Sequence, residues 1–281
     1  MGKLGAYVEI SRPKNALMSI LGALTGWVNS TSVYDGRLIL ACLIPPLVLM
    51  AGNAINDYYD AEIDAINKPY RPIPSGRISK REALNIYIAL SLFGIALSIF
   101  LGFIEFLIVT AFSLSWYAYA RWLKRTGVPG NALVSLGVAF TLIFGSLAAG
   151  NLTNKVIIFS SVAFTSNLIR EFVKAVEDLP GDRAHGVRTI AVRIGVKRTG
   201  ILVFLLSLAT VVLTILPVIF RLTGIIYLSL SVIISLSILM LTSAICLKGK
   251  LEERARETSS LIKVSMFLGL LGMLLDPFRV V

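Results

Sequence analysis

The chain has 281 residues, 56% of them hydrophobic and only 15% charged, which is far from the balance of a water-soluble domain and points to a polytopic membrane protein. Its formal charge of +11 does not indicate nucleic acid, because Lys and Arg sit in short loops between apolar stretches rather than along one soluble face.

Taken in chain order, nine apolar runs approach the roughly 20 residues a bilayer-crossing helix needs. They cover 15–33, 38–61, 82–101, 103–120, 131–150, 156–179, 200–220, 224–247 and 259–276. None shows the alternating polarity of a barrel strand, so the expected fold is all-α, with nine transmembrane helices. Ahead of the first run stand Lys3, Arg12 and Lys14, and the loops after the even-numbered runs carry most of the remaining cations. Twenty Lys and Arg fall on that side against four on the other, namely Arg37, Lys155, Arg221 and Arg279. The positive-inside rule then puts the N-terminus and these loops in the cytoplasm and the C-terminus outside a cell membrane. No cleavable leader is expected, since the first run lacks a small-residue cleavage pattern. Cys42 and Cys246 lie inside apolar runs and read as small hydrophobes. With His185 the sole histidine, zinc and haem have no ligand set, and any metal must be held by oxygen.

The second run ends in NAINDYYDAEIDAIN. Its Asn53, Asp57, Asp60 and Asp64 are spaced four, three and four apart, a stripe about 60° wide on a helix. Three like charges at a helix C-terminus repel one another, so a cation is expected there. Carboxylate and amide oxygens suit Mg²⁺, which commonly completes its octahedron with phosphate oxygens. Asn56 lies beside the stripe. Lys68, Arg71 and Arg77 follow in a loop stiffened by Pro69, Pro72 and Pro74 and freed at Gly76, cations that suit a diphosphate. The competing reading is an acidic helix end paired with neighbouring Lys and Arg. Lys80 and Arg81 read as topological charges.

The sixth run repeats the order of carboxylates then cations. Arg170, Lys174 and Asp178 recur every fourth residue, and Pro180 and Gly181 turn Asp182 back toward the same place. Asp178 and Asp182 could hold a second Mg²⁺, with Lys174 and Arg188 assisting; Arg170 reads equally well as an ion-pair partner of Glu171 or Glu177. The two segments, 53–79 and 170–195, lie four helices apart, as duplication of a four-helix unit within a single domain 1–281 would produce.

NDYYDAEID followed by NKPYRPIPSGRIS resembles the first signature of UbiA-type intramembrane prenyltransferases, NDxxDxxxD and then N-x-x-x-R-P-[IL]-x-x-G, matched here by Asn67, Arg71, Pro72, Ile73 and Gly76. KAVEDLPGD is similar to the family's looser second acidic motif, RTIAVRIG to its return segment, and WYAYARWLKRTGVPGN adds Tyr117, Lys124 and Asn131 as lesser candidates. The resemblance implies nine helices around a lipid-open cavity beneath cytoplasmic cap loops. It also implies Mg²⁺-dependent transfer from a prenyl diphosphate, with Asp57, Asp60, Asp64, Asp178 and Asp182 as metal-binding and catalytic residues. VEDLPGD, the short SRPKNALMSILGALTGW start and the compact length resemble the archaeal ether-lipid branch, implying a geranylgeranyl diphosphate donor and a lipid-phosphate acceptor, geranylgeranylglyceryl phosphate. Two alternatives stand beside it. One is an aromatic polyprenyltransferase with the same donor machinery. The other is a transporter, which the position of both acidic clusters at helix ends disfavours.

Overall fold

The computed structural model describes residues 2–184, 186–247 and 251–277. His185, Lys248, Lys250, Arg279 and the side chain of Asn67 lie outside what it describes. Regular structure among the described residues is entirely helical.

The chain opens with α1 (Lys3–Ser11) and α2 (Pro13–Val28), joined at Arg12. Next come α3 (Gly36–Asn67), α4 (Lys80–Ser98), α5 (Phe103–Arg121), a 3-10 turn at Leu123–Thr126, and α6 (Val128–Ala148). The second half comprises α7 (Asn154–Glu177), the short α8 (Leu179–Ala184) and α9 (Ile190–Ile219). It closes with a rod formed by α10 (Ile225–Tyr227), a π-helical stretch (Leu228–Ser235) and α11 (Leu236–Leu247), followed by α12 (Leu251–Leu275).

Local chemistry sets the helix starts. Asp35 accepts from the Arg37 N–H at 2.9 Å to cap α3, Thr153 caps α7, and Ser79 with Glu82 forms a capping box on α4. Each removes an orphan N–H that would otherwise be costly near a bilayer. The run expected at 200–220 belongs to a longer helix that starts at Ile190 and kinks at Gly195, whose φ of 80° is open to glycine.

Eight described helices are long and apolar enough to cross a membrane, not nine. The missing one is the first expected span. Its helix, α2, has only 16 residues, because Asn29 and Ser30 fold their side chains back onto the carbonyls of Thr25 and Gly26 at 2.9 and 2.8 Å and stop it. It nevertheless runs within the bundle. At one end Arg12 reaches Asn53 on α3, and at the other the Asn29 amide donates to Met273 O at the end of α12 and Ser30 meets Ser146 at the end of α6. A Cβ on Gly26 would collide with the backbone of Leu142, and one on Gly145 with that of Ala23, so glycine permits the closest approach of α2 and α6, as small residues do in membrane interfaces.

The core holds Phe172, Val173, Leu239 and Ile262 between α7, α9, α11 and α12. Large apolar side chains such as Leu92, Phe100, Val212 and Leu241 point outward, an exposure that only a lipid environment makes inexpensive. At the end remote from the acidic motifs, Asp276 is 1% exposed, accepts from the Gly224 N–H at 2.7 Å and pairs with Lys155 at 3.2 Å. This clasp joins the start of α7, the entry to α10 and the end of α12.

Candidate active site

With 32 residues, α3 is longer than the roughly 20 that cross hydrocarbon, so its acidic last third extends to the bundle's end. Asp57, Asp60 and Asp64 are all buried there, on one face as the spacing requires. Their charges are matched by cations from three separate segments. Asp57 pairs with Arg12 from the α1/α2 junction and lies 3.5 Å from Arg71. Asp64 accepts from the same Arg71 nitrogen at 2.5 Å. Asp60 pairs with Lys124 of the 3-10 turn and accepts from Asn56 at 2.8 Å. The competing reading of an acidic end paired with basic side chains is thus realised in the structure, though Arg12 and Lys124 come from remote segments.

In the sequence Arg12 reads only as a topological charge. It is one of two described non-glycine residues with positive φ, at 51°, a conformation that costs on the order of 1–3 kcal/mol. Pro13 starts α2 immediately after it, and the turn aims the guanidinium at Asp57 and at Asn53 Oδ1, 3.1 Å away. Asn53 in turn donates to Ser11 O at 3.3 Å, so this predicted site residue locks the junction. An arginine next to the proline that opens the first span is the signal that could have marked it.

The cap loop divides its cations. Arg71 stays at the carboxylates; burial there works against its charge, but Asp57 and Asp64 outweigh it and hold the guanidinium above the usual pKa. Arg77 turns away, donating to Glu9 at 2.8 Å, Ser75 Oγ at 2.9 Å and Tyr70 O at 2.5 Å, and so fastens the loop to α1. Lys68 closes α3 through its backbone N–H to Asp64 O. Lys80 pairs at the surface with Glu62.

Asp178 ends α7 and its carbonyl accepts from the Asp182 N–H at 3.0 Å, so α8 carries Asp182 back beside it. Burial raises the Asp182 pKa, with Asp178 adding to the effect and Lys124 and Lys174 opposing it. Lys124 therefore links the two motifs, bonded to Asp60 and within electrostatic reach of Asp182. Arg188 is exposed. The Tyr117 hydroxyl accepts from Arg121 at 2.9 Å, and its ring meets Tyr59 edge-on and Tyr87 stacked, with centroids 6.0 and 6.3 Å apart. Tyr58 joins this row against Tyr59. The Asn131 Nδ2 is buried without a hydrogen-bond partner among the described residues.

The donors fit a hard divalent ion. Asp57 and Asp64 turn toward one point, marked by a single Arg71 nitrogen, and every candidate ligand is oxygen. Among the described residues no three acidic, histidine or cysteine side chains close into a cage. An ion held here would therefore draw the rest of its shell from water and phosphate oxygens, as Mg²⁺ commonly does.

The fold and the site define an integral membrane prenyltransferase: the model of the UbiA prenyltransferase family matches residues 16–271, and the chain belongs to that family. It is 99% identical, over the whole of both chains, to the digeranylgeranylglyceryl phosphate synthase of Korarchaeum cryptofilum. A solved structure of digeranylgeranylglyceryl phosphate synthase in membranes is 32% identical with a TM-score of 0.82, covering 99% of each chain. A UbiA homologue from Archaeoglobus fulgidus bound to GPP and Mg²⁺ has the same fold, with 19% identity and a TM-score of 0.70 over 95% of this chain and 99% of that one.

Proposed function

We propose that the chain transfers a geranylgeranyl group from geranylgeranyl diphosphate to a hydroxyl of geranylgeranylglyceryl phosphate, forming an ether bond of archaeal lipid. The observation that carries the mechanistic part is Lys124, which pairs with Asp60 and acts electrostatically on Asp182, so that one cation serves both motifs of a single anion-binding mouth. The near-identical relative supports the choice of acceptor.

Asp57, Asp60 and Asp64 would hold one Mg²⁺ and Asp178 with Asp182 a second, with the diphosphate between them. The bound metal supplies positive charge where the leaving diphosphate accumulates negative charge. Arg12, Arg71 and Lys124 then have a choice of partners. Each satisfies an aspartate until the donor arrives, and each can then move to a phosphate oxygen, so no buried carboxylate is left unpaired beforehand. The C1–oxygen bond breaks, diphosphate leaves with the electron pair, and the acceptor oxygen bonds to C1 as its proton passes to a carboxylate or to the departing diphosphate. The Tyr58, Tyr59, Tyr117 and Tyr87 rings offer π-faces to the allylic cation. Lys68, Lys174 and Arg188 supply further positive charge around the mouth, and Arg77 holds the loop that carries Arg71. The acidic mouth faces the cytoplasm, a reading the positive-inside count supports.

The test is an assay of the purified protein with Mg²⁺, labelled geranylgeranyl diphosphate and a panel of glyceryl phosphate and aromatic acceptors. A labelled diether phosphate, lost on chelation, is the expected product. A prenylated aromatic acid instead would reassign the acceptor, and no Mg²⁺-dependent product at all would refute the reaction class.

A further inference from the structure

Beyond the two motifs, α7 carries charge deeper into the bundle. Arg170 stands eight residues before Asp178, about 12 Å along the helix axis, and Lys174 lies midway between them on the same face. Arg170 pairs through Nη1 with Glu171 at 2.9 Å, and Glu171 is only 7% exposed. The Arg170 Nε is buried and has no hydrogen-bond partner among the described residues. On α12, which packs along α7, Lys263 lies within electrostatic reach of Arg170, Glu171, Lys174 and Glu177. The group holds three cations and two carboxylates, at a helix depth where charged side chains are seldom kept without a use. It is net positive, and neither acidic motif absorbs Lys263 or Arg170.

Charge of this sign is not needed for the donor, whose diphosphate is matched by Arg12, Arg71 and Lys124. The acceptor has a second anion to place, its phosphate monoester, and that group must sit a glycerol backbone away from the hydroxyl that attacks C1. Lys174 connects the two regions, since it also acts on Asp182.

We infer that Arg170, Lys174 and Lys263 form the phosphate-binding site of the acceptor, with the free Arg170 Nε and the Lys263 ammonium directed to the monoester and Glu171 holding the guanidinium in place. This inference rests on the proposed acceptor. It makes the protein selective for a phosphorylated glycerol ether over its dephosphorylated form, because without the anion the buried Arg170 Nε is left without an acceptor.

Lys263 is the residue to change, since its side chain is exposed and packing does not depend on it. Wild type, Lys263→Gln and Lys263→Arg in neutral-lipid nanodiscs are assayed with geranylgeranylglyceryl phosphate and with geranylgeranylglycerol, at saturating donor. The ratio of kcat/KM for the two acceptors should fall about tenfold in Lys263→Gln, through the acceptor KM, and return in Lys263→Arg, with the donor KM unchanged. Arg254→Gln, which breaks an exposed pair with Glu257 on α12, should leave the ratio intact. An unchanged ratio in Lys263→Gln overturns the inference, as does a rise in donor KM alone. A second arm adds anionic phosphodiester lipid to the nanodiscs: if the cluster serves a membrane headgroup instead, that lipid alters wild type but not Lys263→Gln while the acceptor ratio stays constant, and the inference fails. Wild-type turnover with neither acceptor would refute the proposed function itself, a result distinct from all of these.

Discussion

The two acidic helix ends are built alike in sequence and differently in space. On α3 three carboxylates are buried and each has a basic partner, so the cluster is electrically closed. At the end of α7 the carboxylates of Asp178 and Asp182 are only half-buried; Asp182 keeps a raised pKa and two lysines at a distance. The difference teaches that one end is a preformed cradle, held in shape by side chains that can change partners. The other is a gripping surface assembled over a six-residue helix. A substrate entering between them exchanges ion pairs on one side and gains them on the other.

The comparison breaks most sharply at the cradle. Asp64→Asn should lower kcat by on the order of 10³-fold with the fold intact, since Arg71 keeps Asp57 as a partner and the Asn side-chain oxygen can still accept from it; circular dichroism with single-turnover rates checks both. If the ends differ as described, Asp182→Asn has the smaller effect, roughly 10²-fold, expressed largely as a higher Mg²⁺ requirement in a metal titration at fixed donor. Equal losses in both variants would erase the distinction.

A different kind of contrast is offered by the clasp at the far end of the bundle. Asp276→Ala removes the ion pair to Lys155 and leaves the Gly224 N–H without its acceptor, so thermal unfolding should show a loss of about 1–3 kcal/mol with KM for both substrates unaltered. The smallest effect expected is in pH dependence. Because the folded-state pKa of Asp182 is raised, its protonated form favours the apo fold at acid pH, and that contribution is lost as pH rises through the folded value. Metal binding has the opposite sign, since it needs the carboxylate. Metal affinity should therefore begin to fall on acidification above the ordinary aspartate range, and Asp182→Asn should flatten that limb in a calorimetric titration across pH.

Much of this is legible in the chain. The four, three and four spacing from Asn53 to Asp64 places the carboxylates on one face, and helix geometry alone carries it out. Ser79, Thr153 and Asp35 mark helix starts through bonds made within three residues. What escapes depends on distant contacts. Arg12 is a loop cation until the α1/α2 turn sets it against Asp57, 45 residues away. Arg77 has the same type and neighbourhood as Arg71, and only the presence of Glu9 on α1 decides that it ties down the loop. Hydropathy overestimates the length of α2 because it continues past Val28, while the back-bonding of Asn29 and Ser30 that ends the helix leaves little trace in an apolar average. Lys263 is invisible for the same reason as Arg12: its meaning comes from the helix packed against it.

The central claim is that the two acidic ends act together, with metal, on one diphosphate. It is tested most directly by titrating Mn²⁺, followed by electron paramagnetic resonance, into the protein with and without an unreactive thiolodiphosphate analogue of the donor. The account predicts weak binding alone, strong binding with the analogue, and loss of the strong sites in both Asp64→Asn and Asp182→Asn. Strong Mn²⁺ binding without the analogue, or binding that survives both substitutions, would contradict it.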